Sequence, residues 1–399
     1  MDQLAAFRNV AEVLRAAQRV AIEVENAPEK RKRLRGFSLA ESATLLGMPV
    51  AELRALARAS LPGWAPGPRA RLSFEQIGQL RSAPPASKSA GERLRRRRRQ
   101  EGAPPARIVF TNFKGGSAKT TSSVHFAQYM ALAGYRVLLV DLDSQGSATA
   151  QFGFDPAYEA GMHSSFAAWT AAREEGTAAD LDVAALCQRT YWPTIDLVPA
   201  GAALAAAEES LARRAASGAV EEILYFDEFD AFLRALPSHY DIVVVDTRPD
   251  VNMLMTAALH AATGIIVPTR ATMTDLASTG EFFAHIASYI GDFSSAFGTT
   301  LAPAFARILI TAYDPTDRSQ EALFALAKDR FGKMVLPEPF LHSRILGTAG
   351  LGKETLYEYE PTTDRAAYQR ALNSVNTVNA LIERDIVAAW GKPAPRGRS

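Results

Sequence analysis

From residue 107 onwards, short apolar runs alternate with helical patterns along the chain. The runs are RIVFTNF, RVLLVDLD, IDLVPAG, YDIVVVDT, GIIVPT and ARILITAY, and helical stretches such as TTSSVHFAQYMALAG lie between them. Several runs are apolar at every position, which is typical of parallel strands buried on both faces. The alternation predicts an α/β fold over residues 107–399, with a mostly parallel sheet covered by helices on both faces.

The first 36 residues follow a different rhythm, with apolar residues at helical spacing. These positions are Leu4, Phe7, Val10, Val13 and Leu14. The spacing predicts an amphipathic helix over residues 1–36. Because an isolated helix cannot bury such a stripe, we expect it to pack on a partner or to mediate dimerisation with a second copy of the chain.

Residues 37–82 contain two short helical patterns around a turn, then a Gly/Pro-rich loop and a third helix starting near Ser73. Ser38 with Glu41 three residues later is a capping box, and Gly47 breaks the first helix. Helix, turn, helix and basic loop predict an all-α winged helix-turn-helix domain, whose second helix would enter a major groove. A helical hairpin used only for packing is the alternative.

Basic residues favour the DNA-binding interpretation of this segment. Four arginines cluster on the second helix and the loop, namely Arg54, Arg58, Arg69 and Arg71. The following residues 83–106 are predicted to be a basic linker, with prolines at both ends and an arginine run from Arg95 to Arg99. Such a run repels itself and is rarely buried. It either holds phosphate backbone without sequence specificity or is a solvated connector.

Charge is distributed unevenly along the 399 residues. Residues 1–107 contain 21 Lys and Arg against 10 Asp and Glu, a net of +11, so residues 108–399 carry −10 of the overall +1. A basic front on an acidic body indicates a polyanion partner. The single cysteine, Cys187, excludes a disulfide framework and fits a reducing cytoplasm. Since no apolar run of roughly 18 residues and no signal-peptide pattern occurs, we expect no membrane partner.

The segment NFKGGSAKTTS, residues 112–122, lies between the first predicted strand and a helix. It is close to the phosphate-binding pattern G-x-x-x-x-G-K-[ST], but Ala118 replaces the usual glycine and a second lysine, Lys114, stands near the front. Gly115 and Gly116 allow backbone N–H groups to turn onto phosphates. A methyl group at Ala118 is tolerable provided that the position needs no positive φ.

ATP and Mg²⁺ are the expected cofactors of this loop. Lys119 would reach the β- and γ-phosphates, and the Thr120 hydroxyl would bind Mg²⁺. The candidate nucleotide-binding residues of the loop are Lys114, Gly115, Gly116, Ser117, Ala118, Lys119, Thr120 and Thr121. Aspartates end two later strands, and ligands of such sheets bind at the carboxyl ends of strands. These aspartates are Asp141, Asp143 and Asp246.

The pattern K-G-G-x-x-K-[ST] resembles the deviant Walker A loop of the ParA/MinD family of P-loop ATPases. The resemblance implies that Lys114 crosses a dimer interface to the partner's nucleotide, so that ATP is held between two subunits. It also implies that Lys114, Lys119 and Asp143 are catalytic, with Asp143 orienting the attacking water. Asp141 would then lie beside the metal, and Asp246 would hold Mg²⁺ through water.

Two positions depart from the family's pattern. Ser144 replaces the proline of the D-x-D-P-Q motif. Arg248 stands in the segment that resembles switch II, where a small or apolar residue is commoner. The resemblance therefore does not extend to residue 248 of that segment.

The predicted N-terminal helix followed by a winged helix-turn-helix resembles the long ParA proteins of low-copy plasmids. Two C-terminal segments, residues 349–361 (AGLGKETLYEYEP) and YQRALNSVNTVNALIERDIVAAWG, resemble RepA, the partition ATPase of repABC plasmids. The resemblance covers nearly the whole chain. It implies a cytoplasmic, nucleoid-associated partition ATPase that dimerises on ATP, binds non-specific DNA, hydrolyses ATP slowly until a ParB-type partner stimulates it, and represses its own operon at operator DNA.

The resemblance also implies further contacts. The nearest matches to the family's C-terminal residues for non-specific DNA are Arg344, Lys353 and Arg365, although ordinary surface charges would look the same. Tyr313, Arg318 and Pro337 lie where the family wraps the adenine base.

Two other functions stay open on the sequence alone. One is a nucleotide-sensing transcriptional repressor without a transport role. The other is a MinD-like spatial regulator, which is disfavoured because the segment ERDIVAAWGKPAPRGRS shows no strong amphipathic membrane helix.

Overall fold

The computed structural model of the chain describes residues 3, 6–10, 12–13, 16, 32–65, 67, 70–83, 99, 103–157, 159–217, 224–297, 303–351, 353–361 and 364–391. The strands are β1 (Phe37–Ser38), β2 (Arg71–Leu72), β3 (Ala106–Phe110), β4 (Val137–Leu142), β5 (Gln188–Arg189), β6 (Ile195–Val198), β7 (Ile242–Thr247), β8 (Gly264–Arg270) and β9 (Phe305–Thr311). The helices are α1 (Leu39–Leu46), α2 (Val50–Ser60), α3 (Phe74–Ser82), α4 (Lys119–Leu132), α5 (Ser147–Gln151), α6 (Phe166–Glu174), α7 (Leu204–Ser217), α8 (Glu228–Ala235), α9 (Met253–Ala261), α10 (Met273–Phe297), α11 (Arg318–Phe331), α12 (Arg344–Leu351) and α13 (Arg365–Trp390). Short 3₁₀ turns cover Val183–Leu186 and Gly332–Met334.

Strands β3 to β9 form one sheet in the order β5-β6-β4-β7-β3-β8-β9. Every neighbouring pair is parallel except β5 with β6. Strands β4 and β7 at its centre are buried at every position, as expected of strands with helices on both faces. The predicted mostly parallel α/β sheet is confirmed.

The register of the central strands brings the predicted aspartates and the start of the phosphate loop to one edge of the sheet. Asp141 of β4 lies opposite Asp246 of β7, and Asp246 lies opposite Phe110, the last residue of β3. The phosphate-loop segment therefore begins beside both aspartates.

Residues 37–83, here called the N-terminal unit, contain α1, α2 and α3. Both Ser38 with Glu41 and Ser73 with Gln76 form complete capping boxes, and Gly47 ends α1 in the left-handed conformation. The first capping box, the break at Gly47 and a helix starting near Ser73 were predicted, whereas the second capping box was not. The unit is not all-α, however, because Phe37 of β1 pairs with Leu72 of β2 in an antiparallel ladder that buries both side chains.

The N-terminal unit packs against the α/β body, residues 106–391. Its buried Leu72 and Leu80 belong to the same apolar cluster as residues of α4 and α13. The Arg81 guanidinium donates to the Leu132 carbonyl at 2.5 Å, and the Phe74 and Trp192 rings meet edge to face at 5.8 Å. The two parts therefore share one continuous core.

Part of the N-terminal prediction falls on the described residues. Residues 6–10 are helical, and Phe7, Val10 and Val13 expose their side chains along it. Leu4, Leu14, Arg69 and most of the predicted linker lie outside the described residues. Within the described ranges, none of the helices is both long and apolar enough to cross a membrane.

Candidate nucleotide site

The phosphate loop is fastened to the sheet at both of its ends. Near its start, the Asn112 amide donates to the Pro268 carbonyl at 2.8 Å, and its Oδ1 accepts from the Lys114 N–H at 3.4 Å. Near its end, the Thr311 hydroxyl of β9 donates to the Ser117 carbonyl at 3.0 Å. Sequence reasoning missed both anchors, because a lone Asn or Thr has no spacing signal.

Ala118 adopts the left-handed conformation, with φ 66° and ψ 32°, directly before α4. The condition under which a methyl group would be tolerable at this position is therefore not met. Gly116 also has a positive φ, 73°, which glycine adopts freely. For alanine the same region costs about 1–2 kcal/mol. The loop thus stores strain at the position where the common pattern has glycine.

Lys119 lies buried at the centre of the site and donates to the Lys114 carbonyl at 2.9 Å. Burial lowers the pKa of its ammonium, while the charges of Asp246, Asp143 and Asp250 oppose that shift. The structure therefore brings together three predicted residues and one missed residue. Asp250 follows the predicted Asp246 by four positions, and the strand pattern points only to the first carboxylate.

Asp246 has a fully buried carboxylate, and neither oxygen has a hydrogen-bond partner within the described part of the chain. Burial, reinforced by the neighbouring Asp141 carboxylate, raises its pKa to about 8. The nearby Thr120 and Ser123 hydroxyls partly offset this shift without meeting hydrogen-bond geometry, and that of Ser123 donates to the Thr120 carbonyl instead. An unpaired buried carboxylate is costly unless a cation or a proton neutralises it. Hard oxygen ligands of this kind suit Mg²⁺, so Asp246 and Thr120 fit a metal position.

The Asp141 carboxylate accepts hydrogen bonds from the segment that follows β4. One oxygen accepts from the Asp143 N–H at 3.0 Å, and the other accepts from the N–H and the hydroxyl of Thr149 at 2.9 and 2.8 Å. Burial raises the pKa of this carboxyl to about 6. The carboxylate thus fixes the segment after β4, and its place beside a metal stays a prediction.

Asp143 is half-buried on the segment that Asp141 holds. Its Oδ1 accepts from the Gln145 N–H at 2.9 Å, which fixes the side chain in a turn. The charge of Asp143 acts on Lys119, so its carboxylate lies near the phosphate loop. It can accept a proton or hydrogen bond from water there.

Lys114 leaves the front of the loop with its side chain 36% exposed. Its ammonium lies 3.9 Å from Asp275 at the start of α10, which also pairs with Arg270 at 2.5 Å. Sequence reasoning found Lys114 but not this carboxylate, which no motif marks.

The unusual Arg248 has two acidic partners. Its guanidinium lies 3.4 Å from Glu208 of α7 and 2.9 Å from Asp250. The segment after β7 is thereby tied to a neighbouring helix, an anchor that a small or apolar residue could not provide.

The adenine candidates are placed differently from one another. Tyr313 is 8% exposed and packs its ring against Phe324 at 5.4 Å, which leaves it little surface for a base. Arg318 and Pro337 are exposed.

The described DNA-binding candidates all reach the surface. Exposed side chains are those of Arg54, Arg58, Arg71, Arg344, Lys353 and Arg365. Arg71 pairs with Glu360 of the α/β body. Three of them, Arg54, Arg71 and Arg365, line one groove, although the sequence assigned them to two separate regions.

Comparison with known proteins agrees with this architecture. The family described as AAA domain matches residues 106–296. The replication protein A of Rhizobium rhizogenes is 33% identical over 371 residues, which cover 92% of this chain and 90% of that protein. SopA of Escherichia coli strain K12 is 27% identical over 381 residues, 92% of each chain. A solved structure described as a partition protein covers 94% of this chain and 99% of its own, with a TM-score of 0.60 and 13% identity, a likeness of fold.

Proposed function

The chain belongs to the ParA family of P-loop ATPases, and from that premise we propose that it is a DNA-partition ATPase that hydrolyses ATP to ADP and phosphate. One observation carries the proposal: the buried carboxylate of Asp246 has no hydrogen-bond partner among the described residues, and its charge acts on Lys119 of the phosphate loop. A buried charge of this kind needs a counter-charge. Mg²⁺ held with the phosphates of ATP would supply it.

Each residue of the site has a role in phosphoryl transfer, which depends on positioning and charge rather than on covalent chemistry. The loop N–H groups cradle the phosphates, and Lys119 turns from the Lys114 carbonyl to the β- and γ-phosphates. Thr120 and Asp246 would hold Mg²⁺, which would supply positive charge against the phosphates. Asp143 orients the attacking water through its carboxylate.

We propose that two copies close around ATP. Lys114 supports this because it stands at the loop front, partly exposed, with its ammonium 3.9 Å from Asp275 of α10. Crossing to the partner's nucleotide would make closure depend on ATP. The exposed face of Phe7, Val10 and Val13 offers a second contact between copies.

We propose that the ATPase acts on DNA. The N-terminal unit would bind operator DNA as a winged helix-turn-helix domain, and exposed arginines of the unit and the body would hold non-specific DNA. A ParB-type protein would stimulate hydrolysis and release the dimer. This places the protein in the cytoplasm on the nucleoid.

A nucleotide-sensing repressor is the second candidate, and one observation favours it. The N-terminal unit shares its apolar core with α4, the helix that begins at Lys119. A nucleotide-driven shift of that helix would therefore reach the DNA-binding unit directly. In that case the protein would bind its operator tightly but would not bind random DNA in an ATP-dependent way.

The proposal is tested with two lysine variants in nucleotide binding, dimer size and phosphate release. Lys119→Ala is expected to abolish ATP binding. Lys114→Ala is expected to bind ATP but to remain monomeric and inactive, and Lys333→Ala, an exposed lysine elsewhere, is the matched control. Hydrolysis by Lys114→Ala at the parental rate would remove the role in the partner's site, and parental ATP affinity of Lys119→Ala would remove the nucleotide site itself.

A further inference from the structure

A groove runs between the N-terminal unit and the start of α13. Its basic side chains come from three elements: Arg54 from α2, Arg71 from β2 and Arg365 from α13. One carboxylate, Glu360, lies among them. We call these four residues the junction groove, and together they carry a net charge of +2.

We propose that the junction groove binds the phosphate backbone of duplex DNA, and that Glu360 weakens this binding because it pairs with Arg71. The inference rests on the proposed DNA function and adds a site shared by the two parts of the chain.

The guanidinium groups of the groove are available to a ligand. Among the described residues, neither Arg54 nor Arg365 has an ion-pair partner, and both side chains are exposed. Guanidinium forks match phosphate oxygens in geometry and charge. Two exposed forks on separate elements fit an extended polyanion better than a small anion, which requires donors that converge in a closed pocket.

Arg71 differs because it is already engaged. It pairs with Glu360 and donates to the Gly36 carbonyl at 2.8 Å. The two charged side chains are 41% and 58% exposed. Exposed pairs of this kind contribute little free energy, so a phosphate can displace the carboxylate. The Gly36 bond meanwhile keeps the guanidinium in the groove.

The position of the groove also suits backbone contact. Arg71 was predicted to lie in the wing loop and begins β2 in the structure, and Arg54 lies on the helix predicted to enter a major groove. Phosphate contacts beside such a helix set its position on the duplex and are independent of base sequence. Arg365 extends the same row onto the α/β body, so DNA would hold the unit and the body together.

The test is equilibrium binding of the full chain with ATP to a random-sequence duplex, measured at several salt concentrations. Glu360→Gln is expected to bind about 3–10-fold more tightly, with the slope of log affinity against log salt steeper by about 1. Arg365→Gln and Arg54→Gln are each expected to bind about 3–10-fold more weakly, with a slope shallower by about 1. At constant ionic strength, inorganic phosphate is not expected to compete.

Matched controls make the same charge changes on another surface. Glu338→Gln and Arg330→Gln alter exposed side chains near and on α11, and both are expected to bind like the parent. Circular dichroism and thermal melting confirm that each variant is folded. If the groove variants behave like these controls while the parent binds DNA, the groove is not the site and the partition proposal survives. If the parent binds no duplex in any nucleotide state, both proposals fail. Competition by inorganic phosphate would indicate a small-anion pocket and would overturn the backbone assignment.

Discussion

The ammonium of Lys114 lies 3.9 Å from the carboxylate of Asp275 in the same chain. Asp275 is only 2% exposed, and Arg270 is its second partner at 2.5 Å. We propose that Lys114 acts in the partner subunit, yet here it forms an ion pair with a buried carboxylate of its own subunit. Dimer closure would have to break this contact before Lys114 could reach a second nucleotide.

Asp275→Asn is predicted to favour the ATP-dependent dimer, because it removes the charge that holds Lys114. A pair with one partly exposed member contributes about 1 kcal/mol or less, so the dimer should form at roughly 2–5-fold lower protein concentration. Analytical ultracentrifugation with ATP measures the change. Arg270→Gln is the matched variant, since it leaves Asp275 to Lys114 alone and should shift dimerisation the other way. Identical dimerisation of Asp275→Asn and the parent would show that the contact does not restrain Lys114.

Ala118→Gly is predicted to stabilise the free protein. Relief of the left-handed alanine should gain about 1–2 kcal/mol, and the greater freedom of glycine in the unfolded chain should offset about 0.5–1 kcal/mol. Denaturant unfolding gives the difference in free energy. Ala366→Gly, at an exposed position in the first turn of α13, should instead lose stability. A less stable Ala118→Gly would mean that the loop does not strain its alanine.

Ala118 also shows which features of the site could be predicted from the sequence and which could not. The loop, its two lysines and the aspartates that end β4 and β7 follow from local spacing, and the structure places them together. The sign of φ at Ala118 does not follow, because it depends on how the chain enters α4. Alanine also gives no signal of its own, since it is compatible with either case.

Contacts between distant parts of the chain could likewise not be predicted from the sequence. Glu358 is buried and accepts from Lys32 at 3.2 Å and from the Gln128 amide at 2.8 Å, although Lys32 is 326 positions away. The pair of Arg71 and Glu360 spans 289 positions. Periodicity describes one element at a time, so it could not show that Lys32 and the N-terminal unit form these ion pairs with the body.

His125 is predicted to make stability depend on pH. It is buried on α4, where Nδ1–H donates to the Thr121 carbonyl at 2.7 Å and Nε2 accepts from the Leu356 N–H at 3.1 Å. The bond from the Leu356 N–H requires the neutral ring, since a protonated Nε2 cannot accept. Burial lowers the pKa of His125 to about 4 from the ordinary 6.5. The unfolded chain therefore binds this proton more readily. The free energy of unfolding should fall as pH drops below 6.5, by about 1 kcal/mol at pH 5.5.

Denaturant unfolding at pH 7.5 and pH 5.5 isolates this contribution when variants are compared. His125→Gln should be less stable than the parent at pH 7.5 but should lose about 1 kcal/mol less on acidification. His163→Gln, at an exposed position, should keep the parental dependence. If His125→Gln lost as much unfolding free energy between pH 7.5 and pH 5.5 as the parent does, the acid sensitivity would be assigned to other groups.

Asp143→Ala is predicted to bind ATP and close the dimer but to hydrolyse at least about 100-fold more slowly, because water loses its orienting carboxylate. The DNA-bound dimer should then persist. Phosphate release and DNA dissociation after ATP is removed are the two readouts, with the exposed Asp329→Ala as the control. Release of DNA at the parental rate would remove Asp143 from the chemistry.

The central claim is that nucleotide state switches DNA binding, and one measurement tests it most directly. The full chain is titrated onto a random-sequence duplex with ATP and Mg²⁺, with ADP and Mg²⁺, and without nucleotide, at one fixed salt concentration because phosphate contacts are steeply salt-dependent. We predict tight binding with ATP and weak binding in the other two states. Equal binding in all three states would contradict the switch and would assign DNA binding to the basic N-terminal segment alone.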